Sequence, residues 1–311
     1  MSLLTRKRSL LAKIETIYGT DPTPTGAANA ILIKGSPTIS PVESTEVKRD
    51  ILRPYLGNSQ SIPVAVHVKL DLEVELAGSG AAGTAPAFGQ LLRACGFSET
   101  ISAGVSVVYA PISANNESIT MYFNIDGVLH KLTGARGNVS FDFTAGIIPF
   151  AKFSFMGLYS PVTDAAAPTS VFTAFQIPQP VNKVNTSGLS LFGLSGAVMS
   201  AFTVDIANNV IFRSLIGVED VRITDRQPAG SITIEANTIA TKDWFTQARN
   251  STLGALAFTH GLGAGNQIVV AGPAVQVTKP AYTDLNGIQM LQMGLIPTPL
   301  IGNDELTLTF Q

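Results

Sequence analysis

The chain is poor in the residues from which chemical sites are usually built. In 311 residues it has one cysteine, Cys95, three histidines and one tryptophan, Trp244. A single cysteine excludes an internal disulfide, and a zinc centre needs three or four converging ligands. His67, His130 and His260 fall in separate strand-like segments without helical His-x-x-x-His spacing, so no metal is expected. Charge is scarce as well: 14% of residues are charged, against roughly 25% in an average soluble domain. The net charge of −2 excludes a basic surface built for tight nucleic-acid binding. No run of about 18 apolar residues exists, so no membrane helix is expected. The first 17 residues carry Arg6, Lys7 and Arg8 before an apolar patch broken by Lys13 and Glu15, too charged for a secretion signal. Folding in a cytoplasm is the expectation.

Catalytic patterns are missing too. Gly261-Leu262-Gly263-Ala264-Gly265 resembles a phosphate loop, but a strand-like run follows it. Such a loop works only when a helix N-terminus aims its N–H groups at the anion. No Gly-x-Ser-x-Gly elbow occurs. Asp71, Glu73 and Glu75 would lie about 7 Å apart on one strand face. That spacing suits a glycosidase pair, but those carboxylates come from different elements in an aromatic cleft. No catalytic residue and no cofactor are expected, and the three acids read as a solvated face.

What the chain does have is β pattern. In Val64–Leu76 the apolar residues take every even position, and His67, Lys69, Asp71, Glu73 and Glu75 take the odd ones. Period two over this length predicts a long strand with one dry and one wet face. A Gly/Ala loop follows, then a short helix from Pro86 through Cys95, stopped by Gly96. Strands are expected at 105–110, 118–125, 128–132, 138–144 and 152–158, with Asp126-Gly127 as a two-residue hairpin turn. In the second half, 202–206 and 209–213 flank a tight turn, and 218–224 and 231–235 are strands. A helix is expected at 243–250, then strands at 255–259, 267–270, 275–279, 288–293 and 306–310.

Strand, strand, helix and a run of strands thus occurs twice. Gly146-Ile147-Ile148-Pro149 and Gly294-Leu295-Ile296-Pro297 echo one another. The expected fold is mainly β, with two tandem β-sandwich or barrel units, each with one short helix. Residues 1–35 read as an N-terminal arm, rich in turns around Thr20-Asp21-Pro22-Thr23-Pro24. Residues 36–160 read as a first unit, 161–185 as a linker and 186–311 as a second unit. Low charge with abundant small residues points to much surface covered by other subunits.

These features converge on a family. The run Ile17-Tyr18-Gly19-Thr20-Asp21-Pro22-Thr23-Pro24, the later Arg53-Pro54-Tyr55-Leu56-Gly57, and the long strand followed by a small helix and an antiparallel run resemble the major tail tube proteins of long-tailed, non-contractile bacteriophages. The resemblance covers most of the chain. It implies a structural virion protein whose subunits join their sheets into a ring barrel. It implies stacked rings that house a tape measure protein and pass double-stranded DNA during ejection. It also implies tail terminator and distal tail proteins at the ends, and assembly in the bacterial host cytoplasm. With the unit present twice, three chains would form a pseudo-hexameric ring; a hexamer with an outward second half is the other arrangement. Six units of four strands make a barrel of about 24 strands, about 50 Å across the backbone. Asp71, Glu73, Glu75 and Glu235 become candidates for lining the lumen, where they would repel DNA phosphates. Tyr18, Asp21, Pro22 and Pro24 become candidates for inter-ring contact. Another β-rich virion protein (terminator, baseplate hub or decoration protein) and a carbohydrate-binding β-sandwich are the alternatives.

Overall fold

The computed structural model describes residues 2–311. In chain order the first half holds β1 (Arg8–Ile14), α1 (Gly26–Asn29), β2 (Ala30–Ile31), β3 (Lys34–Val47), β4 (Ile62–Glu75), α2 (Gly89–Ala94), β5 (Phe97–Ser102), β6 (Ser106–Pro111), β7 (Ile119–Ile125), β8 (Val128–Thr144), β9 (Phe150–Tyr159) and β10 (Thr163–Asp164). The second half holds β11 (Thr186–Leu191), β12 (Leu194–Ser195), β13 (Met199–Asp205), β14 (Asn208–Leu215), β15 (Val218–Arg226), β16 (Ala229–Glu235), α3 (Trp244–Arg249), β17 (Leu253–His260), β18 (Ile268–Leu285), β19 (Ile288–Thr298) and β20 (Thr307–Phe310). The chain is therefore mainly β, as its alternating pattern predicts, and all pairings are antiparallel. Eighteen strands form one sheet, and β14 and β15 form a separate ribbon.

One pairing order occurs twice. The first half runs β3-β4-β9-β8-β7-β1-β2. The second runs β13-β16-β19-β18-β17-β11-β12. In each, a short last strand returns to the start of the longest one: β10 to β8 and β20 to β18. Each carries a helix after the second strand of this order, α2 after β4 and α3 after β16. Leu76 N donates to Pro149 O at 2.9 Å, and Ala236 N donates to Gln289 O at 3.0 Å. Those matching bonds align Glu75 with Glu235 and Phe150 with Met290.

The halves are fused, not strung together. The end of β8 carries β9 on one side and β13 on the other, pairing Phe141 with Val204 and Phe143 with Phe202. Below this seam, the rings of Phe143, Phe202 and Phe258 pack at centroid distances of 5.1 to 6.3 Å. A second joint forms where β20 pairs with β6. One hydrophobic core runs through both halves.

The sequence reading needs correction at several points. The Gly-Ile-Ile-Pro echo does not mark equivalent places: Gly146–Pro149 is the β8–β9 connection, whereas Gly294–Pro297 lies inside β19. The counterpart of the β8–β9 connection is Asn286-Gly287, a tight turn with both residues at positive φ, like Asp126-Gly127. The runs 128–132 and 138–144 form one strand, β8, and 267–270 and 275–279 form one strand, β18. Each continues through a bulge, at Gly134-Ala135 and between Gly272 and Val275, that interrupts the alternation; β18 has a further one at Lys279-Pro280. The expected tight turn at 207–208 is a kink, with Ala207 at φ 53°; the reversal comes later, at Ile216-Gly217. The N-terminal arm is not free of the core, because β1 pairs along its whole length with β7 and buries Leu10, Leu11 and Ala12, and β2 pairs with β1.

Phe143→Ala should cost about 3–5 kcal/mol, the range for truncating a buried aromatic. Calorimetry of both the parent and F143A should show one unfolding transition, since the core is shared. Two separated transitions in the parent would contradict a fused core.

Candidate functional site

The wet face of β4 continues across both halves of the sheet. Asp71, Glu73 and Glu75 alternate with fully buried Leu70, Leu72 and Val74. Across one ladder Glu73 faces Lys34 on β3 and Lys152 on β9. Lys152 faces Ser140 on β8, Ser140 faces Asp205 on β13, and Asp205 faces Ala229 on β16. In the neighbouring row Glu75 faces Phe150, then Asp142, Thr203, Ser231 and Gly294 follow. Glu235 lies on the same face of β16, four residues beyond Ser231, with buried Ile232 and Ile234 turned the other way. The sheet thus brings Asp71, Glu73, Glu75 and Glu235 onto one surface. Sequence reasoning missed Asp142 and Asp205 on it, although the alternation Asn138, Ser140, Asp142 carried the signal.

This surface is acidic and open. Lys69, Lys152 and Lys34 are its cations; Lys34 sits with its ammonium 3.8 Å from the Phe150 ring centroid. Asp205 accepts from Asn138 Nδ2 at 2.7 Å, and Asp142 accepts from Thr144 Oγ1 at 2.6 Å. The ion pairs among the described residues all lie elsewhere. The carboxylates here are therefore at least partly exposed and form no ion pair, although Glu73 has two lysines as cross-strand neighbours, and with six acids against three lysines the face presents a net negative stripe.

At the upper end the same face is covered. The β14–β15 ribbon folds over β4, β8 and β9, and Phe212 stacks on His67 at 4.9 Å. Tyr18 fastens the ribbon: its hydroxyl accepts from Val221 N at 2.6 Å, and its ring lies 4.9 Å from the Arg136 guanidinium. Burial pushes the Tyr18 phenol up. Arg136 donates to Val221 O at 2.5 Å and to Asn116 O at 2.8 Å. Gly134, at φ 57°, leaves the room, because a Cβ there would stand 2.7 Å from the Tyr18 ring.

The other sequence-derived contact candidates are held on their own chain. Asp21 accepts from the Tyr122 hydroxyl, from Thr23 N at 2.8 Å and from Lys131 at 3.2 Å. Burial opposes its ionisation, but these bonds prevail and hold its carboxyl below the usual range. Pro22 O accepts from Lys13 Nζ at 2.9 Å, and Pro24 is buried. At the base of this loop is Glu15, a buried carboxylate that sequence reasoning noted only as a break in an apolar patch. It accepts from Gly19 N, Ser118 Oγ, Thr120 Oγ1 and Gly134 N at 2.6 to 2.7 Å.

No catalytic cluster stands beside these groups. His260 is buried: its Nε2–H donates to Gln179 O at 3.1 Å and its Nδ1 accepts from Thr186 at 2.9 Å. Burial lowers its pKa, so the neutral ring suits this bonding. Among the described residues no three His, Cys, Asp or Glu side chains converge as a metal site. No helix there is long and apolar enough to cross a membrane.

Residues 5–310 match the family model described as phage tail tube protein. No curated protein matches the chain.

The two kinds of carboxylate should separate by mutation. Glu15→Ala strands buried donors and should cost about 3 kcal/mol, whereas Glu73→Gln and Glu235→Gln should stay within about 0.5 kcal/mol. Denaturant unfolding measures both. A loss at Glu73 as large as that at Glu15 would assign the open face a structural role.

Proposed function

This chain belongs to the phage tail tube protein family, and we propose that three copies of it close each ring of the tube. Family membership makes it a structural component of a phage tail that assembles with itself into a tube. The finer reading starts from the β8–β13 seam. Within one chain that seam already joins four strands, β3-β4-β9-β8, to four more, β13-β16-β19-β18. The two outer edges of this run are unpaired: β3 has only β4 beside it, and β18 beyond Gln276 has only β19. Unpaired edges of this length invite another strand.

The repeated pairing order fixes which residues would meet. Aligned through Glu75 and Glu235, Thr38, Ile39 and Ser40 on β3 stand where Thr203, Val204 and Asp205 stand on β13. Ala281, Tyr282 and Thr283 on β18 stand where Ser140, Phe141 and Asp142 stand on β8. Copying the seam pairs Ile39 of one copy with Tyr282 of the next, flanked by Thr38 with Thr283 and Ser40 with Ala281. Tyr282 is 57% exposed and rests on Phe245 at 5.6 Å, a surface that such pairing would cover. Three copies then give about 24 strands and a backbone diameter near 50 Å. The units of this ring would be the two halves of the sheet: residues 36–160 together with β1, β2 and β10, and residues 186–311.

The acidic face would line the lumen. Asp71, Glu73, Glu75 and Glu235, with Asp142 and Asp205, would repel DNA phosphates, so that a duplex slides through without sequence-specific binding. Before ejection the same channel would house a tape measure protein, with terminator and distal tail proteins at the two ends. The loop carrying Tyr18, Asp21, Pro22 and Pro24 would meet the neighbouring ring as a rigid ledge. The tail type best fitting this reading is the long, non-contractile one, and assembly would take place in the host cytoplasm.

Tubes assembled from Glu73→Lys, Glu75→Lys protein should match the parent by negative-stain microscopy but retain duplex DNA on sedimentation, in a salt-dependent way. Parent tubes should retain none. DNA held tightly by parent tubes would overturn the repulsive lumen, and loss of tubes in the variant would make the face an interface.

A further inference from the structure

We infer that a groove on the second half of each copy is the seat for the β3–β4 hairpin of the neighbouring copy. This seat presupposes the proposed ring and adds a contact that sheet pairing alone does not require. On the first half, the upper end of the polar face is not empty. The β14–β15 ribbon lies there, with Phe212 stacked on His67 and Val221 wholly buried. That ribbon continues the β13–β16 hairpin, so whichever unit adds its edge strand to a sheet also lays its hairpin over that sheet.

On the second half the matching place is open. The alignment that sets Glu75 over Glu235 and Phe150 over Met290 carries His67 to Gln227 and Met156 to Ile296. Gln227, Pro228, Ile296, Pro297 and Pro299 line a groove of about 670 Å³. Ile296 is 40% exposed on its floor. No segment of the same chain performs there the task that Phe212 performs on His67.

The occupant is specified by the same alignment. Val47 lies seven residues beyond Ser40 as Phe212 lies seven beyond Asp205, and it pairs with Ile62 as Phe212 pairs with Val221. The hairpin is free to serve: Val42, Val47, Ile62 and Val64 are between 40% and 58% exposed, an apolar surface with nothing of its own chain over it. A second copy whose β3 pairs with the β18 edge brings this hairpin to the groove by the geometry that brings β14–β15 to β4 and β9. Val47 then meets Gln227, and burial of the hairpin's valines and Ile62 against Ile296 and the prolines supplies a hydrophobic contribution to ring closure.

Mixed rings made from V47C copies and Q227C copies test the contact. Cys95 is fully buried and does not compete. A disulfide-linked pair should form in the mixture and not in either variant alone, because the two cysteines sit on different copies. In parallel, mixed I39C and Y282C copies test the sheet seam. Rings that link through I39C and Y282C but never through V47C and Q227C would overturn the seated hairpin and leave the ring reading intact. Absence of rings in the parent protein would overturn the ring reading itself, and the hairpin seat with it.

Discussion

Backbone hydrogen bonding at sheet edges is the constraint on which this structure depends. Every strand must satisfy its N–H and C=O groups on both sides or leave an adhesive edge. The chain meets that demand at its centre by running β8 long enough to serve two neighbourhoods. Its first part pairs with β7 and its last part with β13. The fused core, the shared polar face and the placement of the β14–β15 ribbon all follow from that one seam. At its two outer edges the same demand is left unmet, and there, in the proposed ring, the next copy would meet it.

The two faces of the sheet divide the work. The dry face concentrates the phenylalanines, and truncating one damages both halves because Phe143, Phe202 and Phe258 span the seam. The wet face contributes little to stability, since its acids are not fully buried and form no ion pairs. Its charge is not consumed by ion pairs within the chain. Glu15 shows the opposite use of a carboxylate: removed from water and saturated with donors, it ties β1, β7 and β8 together and fixes the Tyr18 loop on which the ribbon rests.

Much of this was legible in the sequence where one physical rule acted alone. Strict alternation from Val64 to Leu76 placed β4 to within two residues, and its two faces from Val68 onward. Asp126-Gly127 marked its hairpin because only that backbone geometry matches the strand twist. The acids of the candidate face were legible on β4 and β16, but their union on one surface was not, because it depends on long-range pairing through β9, β8 and β13. Legibility failed where two rules competed. The bulges at Gly134-Ala135 and between Gly272 and Val275 cut single strands into apparent pairs. Ala207 bends the chain without reversing it, so a kink read as a turn. Lys13 and Glu15 disguised β1, since three of the four donors to the buried carboxylate lie 103 or more residues away. The repeated Gly-x-Ile-Pro pointed to a repeat through residues that do not correspond; the correspondence lies in Glu75 and Glu235 and in the bonds beside them.

The central claim is that the chain is one third of a ring, with its internal seam reproduced between copies. Rotational averaging of end-on views of the assembled protein, together with the mass of a single ring, tests it most directly. The account predicts three chains per ring, with six similar lobes. Six chains per ring, each with its second half projecting outward, would contradict it.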